Sequence, residues 1–291
     1  MSLPSISAVW RALRPAQWTK NLFVFMPLVF SRHLFIGSAF SRVFLATLFF
    51  CMISSSAYLI NDILDVEQDR LHPHKRRRPL ANHELTPSWA YAASFILLLI
   101  ACIGGGIFLG WVLTAILAGY WILSLAYSVI LKDIYVLDIA VIVAGFILRI
   151  KAGASAIPVV MSPWLVLCTL LLALFLVLGK RRQELGEMRH AASRHRPVLG
   201  SYNVQVLNGA IVCAGIAAAF CYTLYTFRQD IHPRLLVWTS PFVWLGIARY
   251  AQLLLFKGKG GDPSYVLLTD RPVVICILFW FGVLAWILYG R

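Results

Sequence analysis

The sequence predicts an all-α, polytopic membrane protein, and three observations predict it. Of the 291 residues, 60% are hydrophobic and only 13% charged, with a mean hydropathy of +0.78, which is too apolar for the wettable surface of a soluble domain. Apolar runs of bilayer length recur along the whole chain. The basic residues gather in the short loops between those runs.

Taken in order, the first 20 residues carry Trp10, Arg11, Arg14, Trp18 and Lys20 and are expected to form an amphipathic interfacial segment. No cleavable signal peptide is visible. Nine spans are expected, at roughly 21–40, 43–62, 88–108, 111–130, 134–156, 163–180, 203–225, 235–255 and 272–290. The first contains Arg32 and His33 and is expected to be short or tilted; the fifth contains Asp138, Arg149 and Lys151, and the eighth Arg249. No linker or soluble insertion interrupts the array, so residues 1–291 read as a single domain. Six cysteines lie within apolar stretches without a C-x-x-C pair and read as reduced residues facing lipid or core.

The formal charge of +14 points to anionic lipid and a phosphorylated substrate, and away from nucleic acid. With nine spans, 19 of the 26 lysines and arginines fall on the side of the N-terminus, which places that side in the cytoplasm and the C-terminus outside. Such a chain belongs in the cell's inner (plasma) membrane.

The chemistry is concentrated in residues 61–79. Asp62, Asp65 and Asp69 stand at i, i+3 and i+7, one face of a continuing helix, with Asn61 at its head. Gathered carboxylates require a cation, and oxygen ligands of this kind suit Mg²⁺ shared with substrate phosphates. Lys75, Arg76, Arg77 and Arg78 follow and suit phosphate oxygens. A solvated loop with ordinary positive-inside arginines would account for the bases but not for the carboxylate face. His72, His74 and His83 have no zinc-like spacing and read as orienting phosphate or the acidic ligands.

Further along, Tyr127, Lys132 and Asp138 bracket the loop after the fourth span, and Lys132 is placed to hold a phosphate. Asp138 is expected to face a polar cavity or to pair with a base. Arg149, about three turns on, is either a substrate contact or a side chain snorkelling to the far interface. The sixth span ends in Lys180-Arg181-Arg182-Gln183-Glu184-Leu185-Gly186-Glu187, a weak echo of the end of the second. Glu184 and Glu187 are candidates for a second Mg²⁺, with intrahelical salt bridging as the competing reading. Tyr202 and Asn203 are either interfacial anchors or substrate contacts. The glycine-rich loop 257–270 has the hinges of a lid, or simply of turns.

The motif Asn61-Asp62-x-x-Asp65-x-x-x-Asp69 after the second span, within nine spans, resembles the UbiA superfamily of intramembrane prenyltransferases. The resemblance implies nine helices around a central cavity and a diphosphate held there through Mg²⁺. The second acidic motif of that superfamily is aspartate-rich, whereas this chain has Lys180-Arg181-Arg182-x-Glu184-x-x-Glu187. The finer resemblance is to the decaprenyl-phosphate phosphoribosyltransferase branch. It is carried by Trp18-Thr19-Lys20-Asn21, His72-Pro73-x-Lys75-x-x-Arg78-Pro79, Tyr127-Ser128-x-x-Leu131-Lys132, Gly145-Phe146-x-x-Arg149-x-x-Ala152-Gly153 and Gly179-Lys180-Arg181-Arg182-x-Glu184.

That branch implies transfer of 5-phosphoribose from phosphoribosyl pyrophosphate (PRPP) to a long polyprenyl (decaprenyl) phosphate, releasing diphosphate, on the way to arabinose donors for the cell envelope. Residues and resemblance together make Asp62, Asp65, Asp69 and Lys132 the catalytic set. Asp62, Asp65, Asp69, Glu184 and Glu187 become the metal ligands. Lys20, Asn61, Lys75, Arg78, Tyr127, Asp138, Arg149, Lys180, Arg181 and Tyr202 become the substrate contacts. Two other readings compete. One is a Mg²⁺-dependent transfer of a prenyl group from prenyl diphosphate to an aromatic or other acceptor. The other is a secondary transporter, which would explain the spans but not the carboxylates beside a basic loop. A homo-oligomer is compatible with the array.

Overall fold

Apolar segments in a bilayer must satisfy their own backbone groups, and every regular element among the described residues is helical. The computed structural model describes residues 4–71, 75–134, 136–188, 203–228, 234–258, 260 and 263–290, with backbone alone for 187 and 188. Twelve α-helices lie among them. They are α1 (Ile6–Leu13), α2 (Met26–Phe30), α3 (Gly37–Leu64), α4 (Val66–Leu71), α5 (Pro87–Leu109) and α6 (Trp111–Val129), then α7 (Leu137–Ala156), α8 (Pro163–Met188), α9 (Val204–Thr226), α10 (Ser240–Phe256), α11 (Pro263–Thr269) and α12 (Arg271–Tyr289). Seven of these, α3, α5, α6, α7, α8, α9 and α12, are long and apolar enough to cross a membrane.

Local chemistry sets the ends. Thr86 caps α5 by accepting from the Trp89 amide, with Pro87 in the first turn where its missing N–H costs nothing. Gly110 (φ 98°) supplies the left-handed step that separates α5 from α6. Asn203 caps α9 and Asp270 caps α12 in the same way as Thr86.

The expectation of nine long helices needs correction at one place. The eighth expected span, 235–255, is helical throughout, a 3₁₀ segment at Arg234–Thr239 running directly into α10. The first, 21–40, is not one continuous α-helix: Pro15–Phe25 form a 3₁₀ segment, α2 follows, and the chain turns at residues 31–36, where Arg32 takes φ 62°. The 3₁₀ segment and α2 nevertheless run the length of α3 in the opposite direction. Arg14 meets Asp62, the Trp18 indole donates to Ser55 Oγ (3.0 Å), and the Asn21 amide donates to Ser54 Oγ (3.3 Å). Phe25 finally packs on Phe40, ring centroids 6.0 Å apart. From Phe40 to Asp62 is 22 residues of helix, about 33 Å at 1.5 Å per residue, close to the thickness of a bilayer core. Irregular backbone is tolerated at such depth because it is buried in protein: Asn21, Val24 and Leu28 are buried.

The chain divides into two compact units, Met1–Val141 with Gly145–Val160, and Ile142–Ala144 with Met161–Arg291. In the first, Val24, Leu28, Val43, Phe50, Ile53 and Leu117 form the main core, and a smaller cluster seats Ala8 and Ala12 of α1 on Leu59, Leu80 and Leu85. In the second, Gly179 lies where an added Cβ would sit 2.5 Å from a Leu254 methyl, and Gly215 packs on Phe175 and Ile247. Large apolar side chains such as Ile103, Phe108, Phe220 and Leu278 point outward, as the surface of a multi-pass membrane protein must.

Candidate active site at the end of α3

The polar end of α3 begins at Asn61 and Asp62. The helix stops at Leu64, where Asp65 sits at φ −95°, ψ 5°. Its hydrogen-bond ladder nearly continues into α4, since the Asp65 amide donates to the Asn61 carbonyl (2.9 Å) and the Asp69 amide to the Asp65 carbonyl (2.8 Å).

The step at Asp65 divides the three carboxylates, correcting the expectation of a single three-carboxylate face. Asp62 and Asp69 lie together, 1% and 3% exposed, and share the Arg78 guanidinium: its Nη1 donates to Asp62 Oδ1 (3.1 Å) and to the Asp69 carboxylate. Arg14, at the end of α1, donates to the same Asp62 oxygen. Asp65 turns to the loop after α6, where Lys132 Nζ donates to Oδ1 at 2.6 Å. Asn61 acts as a positioning group: its amide donates to Asp65 Oδ2 (3.0 Å), and its own oxygen accepts from Ser128 Oγ (2.9 Å). Three carboxylates thus face three cations, which compensates charges that burial alone would make costly. Burial still pushes the Asp69 carboxyl above the usual range, against the pull of Arg78.

Among the described residues no three His, Cys, Asp or Glu side chains are gathered as a ready metal site. One atom does fit a divalent cation: Asp62 Oδ2 is buried and accepts no hydrogen bond among the described residues. Mg²⁺ is commonly held by one or two carboxylates with substrate phosphates completing its shell. Asp62, with Asp65 or Asp69 released from its base, suits that mode.

Other predicted residues fall as follows. Lys20 Nζ donates to Gln17 Oε1 (2.6 Å). Lys75 is exposed in a short 3₁₀ turn before Arg78, and Tyr127 is half-buried beside Ser128. Asp138 is fully buried in the first turn of α7, where the helix dipole favours a carboxylate. Arg149 does not snorkel. It is buried, with Nε on Asn21 Oδ1 (2.9 Å), Nη1 on the Gly145 carbonyl (2.8 Å) and Nη2 on Tyr120 Oη (3.0 Å), and it lies against the rings of Phe50, Tyr120 and Phe146. It ties the irregular crossing to α7, and at Gly153, one helical turn on, an added Cβ would lie 1.9 Å from the Val24 carbonyl oxygen.

In the second unit, Arg181 is fully buried and ion-paired with Glu184 one turn along α8, with Lys180 4.0 Å from the same carboxylate. Intrahelical salt bridging is therefore the arrangement present at Glu184. The side chain of Glu187, and Tyr202, His72 and His74, lie outside the described residues. His83 Nδ1 lies 3.5 Å from an Arg70 nitrogen, with no metal-ligand group around it among the described residues. Residues 257–270 include α11, and the Gly260 carbonyl accepts from Tyr250 Oη (2.6 Å). Sequence reasoning missed Arg14 and Ser128. Arg14 looks like any interfacial base, 48 residues from the aspartate it holds; Ser128 stood inside a quoted motif without a role.

A family model described as the UbiA prenyltransferase family matches residues 23–260. The chain belongs to this family. Its members' class makes it a membrane-embedded transferase. It is 33% identical to the decaprenyl-phosphate phosphoribosyltransferase of Mycolicibacterium smegmatis, over 98% of this chain and 93% of that protein. It is 34% identical to the enzyme of the same name from Corynebacterium glutamicum, over 93% of this chain and 83% of that one. Among solved structures, a UbiA homolog from Archaeoglobus fulgidus bound to DMAPP and Mg²⁺ matches with TM-score 0.71 over 94% of this chain and 98% of that chain, at 17% identity, which establishes the shared fold.

Proposed function

We propose that the protein transfers 5-phosphoribose from PRPP to a long-chain polyprenyl phosphate and releases diphosphate. The observation that carries the chemistry is the balanced set at the end of α3: Asp62, Asp65 and Asp69 against Arg14, Arg78 and Lys132, with one buried Asp62 oxygen left open. The donor is favoured by the near full-length likeness to the named phosphoribosyltransferases.

The acceptor is a phosphate monoester, largely ionised at neutral pH, so its oxygen attacks C1 of ribose without a strong protein base. The C1–O bond to diphosphate breaks, the electron pair leaves with the diphosphate, and C1 is inverted through an oxocarbenium-like state. The demand on the protein is to stabilise charge building on the leaving group. Asp62, with Asp65 or Asp69, would hold a Mg²⁺ ion, which when bound would supply Lewis-acid neutralisation of the diphosphate. Lys132, released from Asp65, turns its donors to diphosphate oxygens, with Lys75 adding charge from the exposed turn, while Arg78 stays on Asp62 and Asp69. Asn61 keeps Asp65 oriented through the exchange. The whole of residues 1–291 acts as one UbiA-like catalytic domain, with the site and the N-terminus on the cytoplasmic side of the inner membrane.

The test is a purified-protein assay with polyprenyl phosphate present and labelled PRPP and prenyl diphosphates offered in parallel. Label appearing in lipid only from PRPP is expected. Prenyl transfer with no PRPP consumed would replace this reading by the prenyltransferase one.

A further inference from the structure

An open cavity of about 430 Å³ lies between the end of α1 and the loop after α4, lined by Trp10, Arg11, Arg14, Gln17 and Arg78 among others. We propose that it binds the phosphate monoester of the lipid acceptor, an inference that rests on the transfer reading above.

Three guanidiniums line this space, and each already holds a carboxylate with one terminal nitrogen: Arg11 holds Glu84, Arg14 holds Asp62, and Arg78 holds Asp62 and Asp69. The second terminal nitrogen of each has no hydrogen bond among the described residues. A phosphate dianion matches that unused capacity, because planar guanidinium forks take phosphate oxygens on their open edge while keeping a carboxylate on the other. Arg14 is presented with a backbone outside the ordinary helical range: it closes α1 at φ 54°, ψ 58°, and its guanidinium lies 5.1 Å from the Tyr58 ring centroid.

The position of α1 argues for a phosphate carried on lipid. Ala8 and Ala12 seat the helix on the protein, while Ile6 and Trp10 are 88% and 55% exposed. Tryptophan and aliphatic residues on one face with arginines beside them fit the headgroup level of a membrane. That is the level at which a polyprenyl phosphate carries its charge. Two of the cavity's arginines also touch Asp62, so an acceptor phosphate held there lies next to the carboxylate assigned to the donor's diphosphate. Nucleophile and leaving group are thereby brought to neighbouring positions.

The experiment uses the full-length protein in nanodiscs and the variants Arg11→Ala, Arg11→Lys and Glu84→Gln. Arg11→Ala is expected to raise KM for polyprenyl phosphate about fivefold, the weight of one half-exposed charge contact, with KM for PRPP unchanged. Arg11→Lys should recover most of this, and Glu84→Gln should leave acceptor KM as in wild type. A rise in KM for PRPP instead would make the cavity a donor site and overturn the proposal. A Glu84→Gln effect equal to that of Arg11→Ala would reduce Arg11 to a structural ion pair, with the same result. Binding is measured separately, without turnover, by tryptophan fluorescence with a short prenyl monophosphate and the matching prenyl alcohol as probes. Arg11-dependent binding of the monophosphate alone supports the cavity even if PRPP proves not to be the donor. Equal binding of the two probes, or binding of the monophosphate unaffected by Arg11→Ala, sinks it.

Discussion

Gly153→Ala tests whether the irregular first crossing is seated on α7 as closely as the structure places it. An added Cβ would lie 1.9 Å from the Val24 carbonyl oxygen, 2.9 Å from its carbon and 3.3 Å from Pro27 Cδ. Real Cβ contacts essentially never fall below 3.0 Å, so the backbone at Val24 has to withdraw by at least 1.1 Å, the difference between 3.0 and 1.9. Three residues away, Asn21 Oδ1 accepts from Arg149 Nε at 2.9 Å. A shift of that size carries the contact to about 4 Å, beyond hydrogen-bond range. Overpacking costs about 1–3 kcal/mol and a lost contact to a buried guanidinium about 1.5–3 kcal/mol. The melting temperature should therefore fall by on the order of 10 °C. The assay is thermal unfolding of the detergent-solubilised protein, followed by tryptophan fluorescence. Gly119→Ala and Gly209→Ala are the controls, since nothing lies within 4 Å of a Cβ added at either, and both should be neutral or slightly stabilising. A Gly153→Ala protein melting with its wild-type parent would refute the close seating and the role given to Arg149.

Four further outcomes are expected. Asp62→Asn should fold but lose turnover on the order of 100-fold at limiting Mg²⁺; near wild-type rates would remove Asp62 from the metal. Ser128→Ala gives up one neutral hydrogen bond, so kcat/KM should fall about 2- to 12-fold, with Ser128→Thr restoring it and Asn61→Ala losing more; an inert Asn61→Ala would dissolve the relay to Asp65. Because burial raises the Asp69 carboxyl, its protonated form persists to a higher pH than that of an exposed aspartate, and protons compete with Mg²⁺ there; the Mg²⁺ needed for half-maximal turnover should rise as pH is lowered, and a profile unchanged in Asp69→Asn would detach that residue from the effect. Single cysteines placed at residues 2 and 291 should label from opposite faces of sealed cells, the N-terminal one from the cytoplasm; labelling of both from one face would mean an even number of crossings.

Much of this was legible in the sequence because bilayer physics writes it there plainly. Helices α3, α5 to α9 and α12 announce themselves as apolar runs, and the Asn61–Asp69 motif marks the chemistry. The first crossing was misread because hydropathy cannot distinguish an apolar helix from an apolar 3₁₀ segment whose backbone is sheltered by Arg149, Gly153 and α3. The carboxylates were placed on one face by assuming an unbroken helix. The step at Asp65 hands that residue to Lys132, and no local pattern specifies a step that depends on a lysine 67 residues away. Arg14 was hidden for the same reason. Its role comes from where α1 docks on Leu59 and Leu80, not from its neighbours in the chain.

The broken first crossing also bears on how the chain is made. A run of about 20 apolar helical residues can enter a bilayer on its own. Residues 15–25 cannot, because Gln17, Lys20 and Asn21 interrupt them and their 3₁₀ backbone relies on neighbours. The guanidinium that Asn21 requires is synthesised 128 residues later. At ordinary translation rates of about 5–20 residues per second, that interval is on the order of 6–25 seconds. For that time α3 is in the membrane with an incomplete companion, and Asn21 has only Cys51 and Ser54 to turn to. A segment translated before α3 is thus among the last in its unit to reach its final surroundings, and arrival of α7 is the event that closes the first unit.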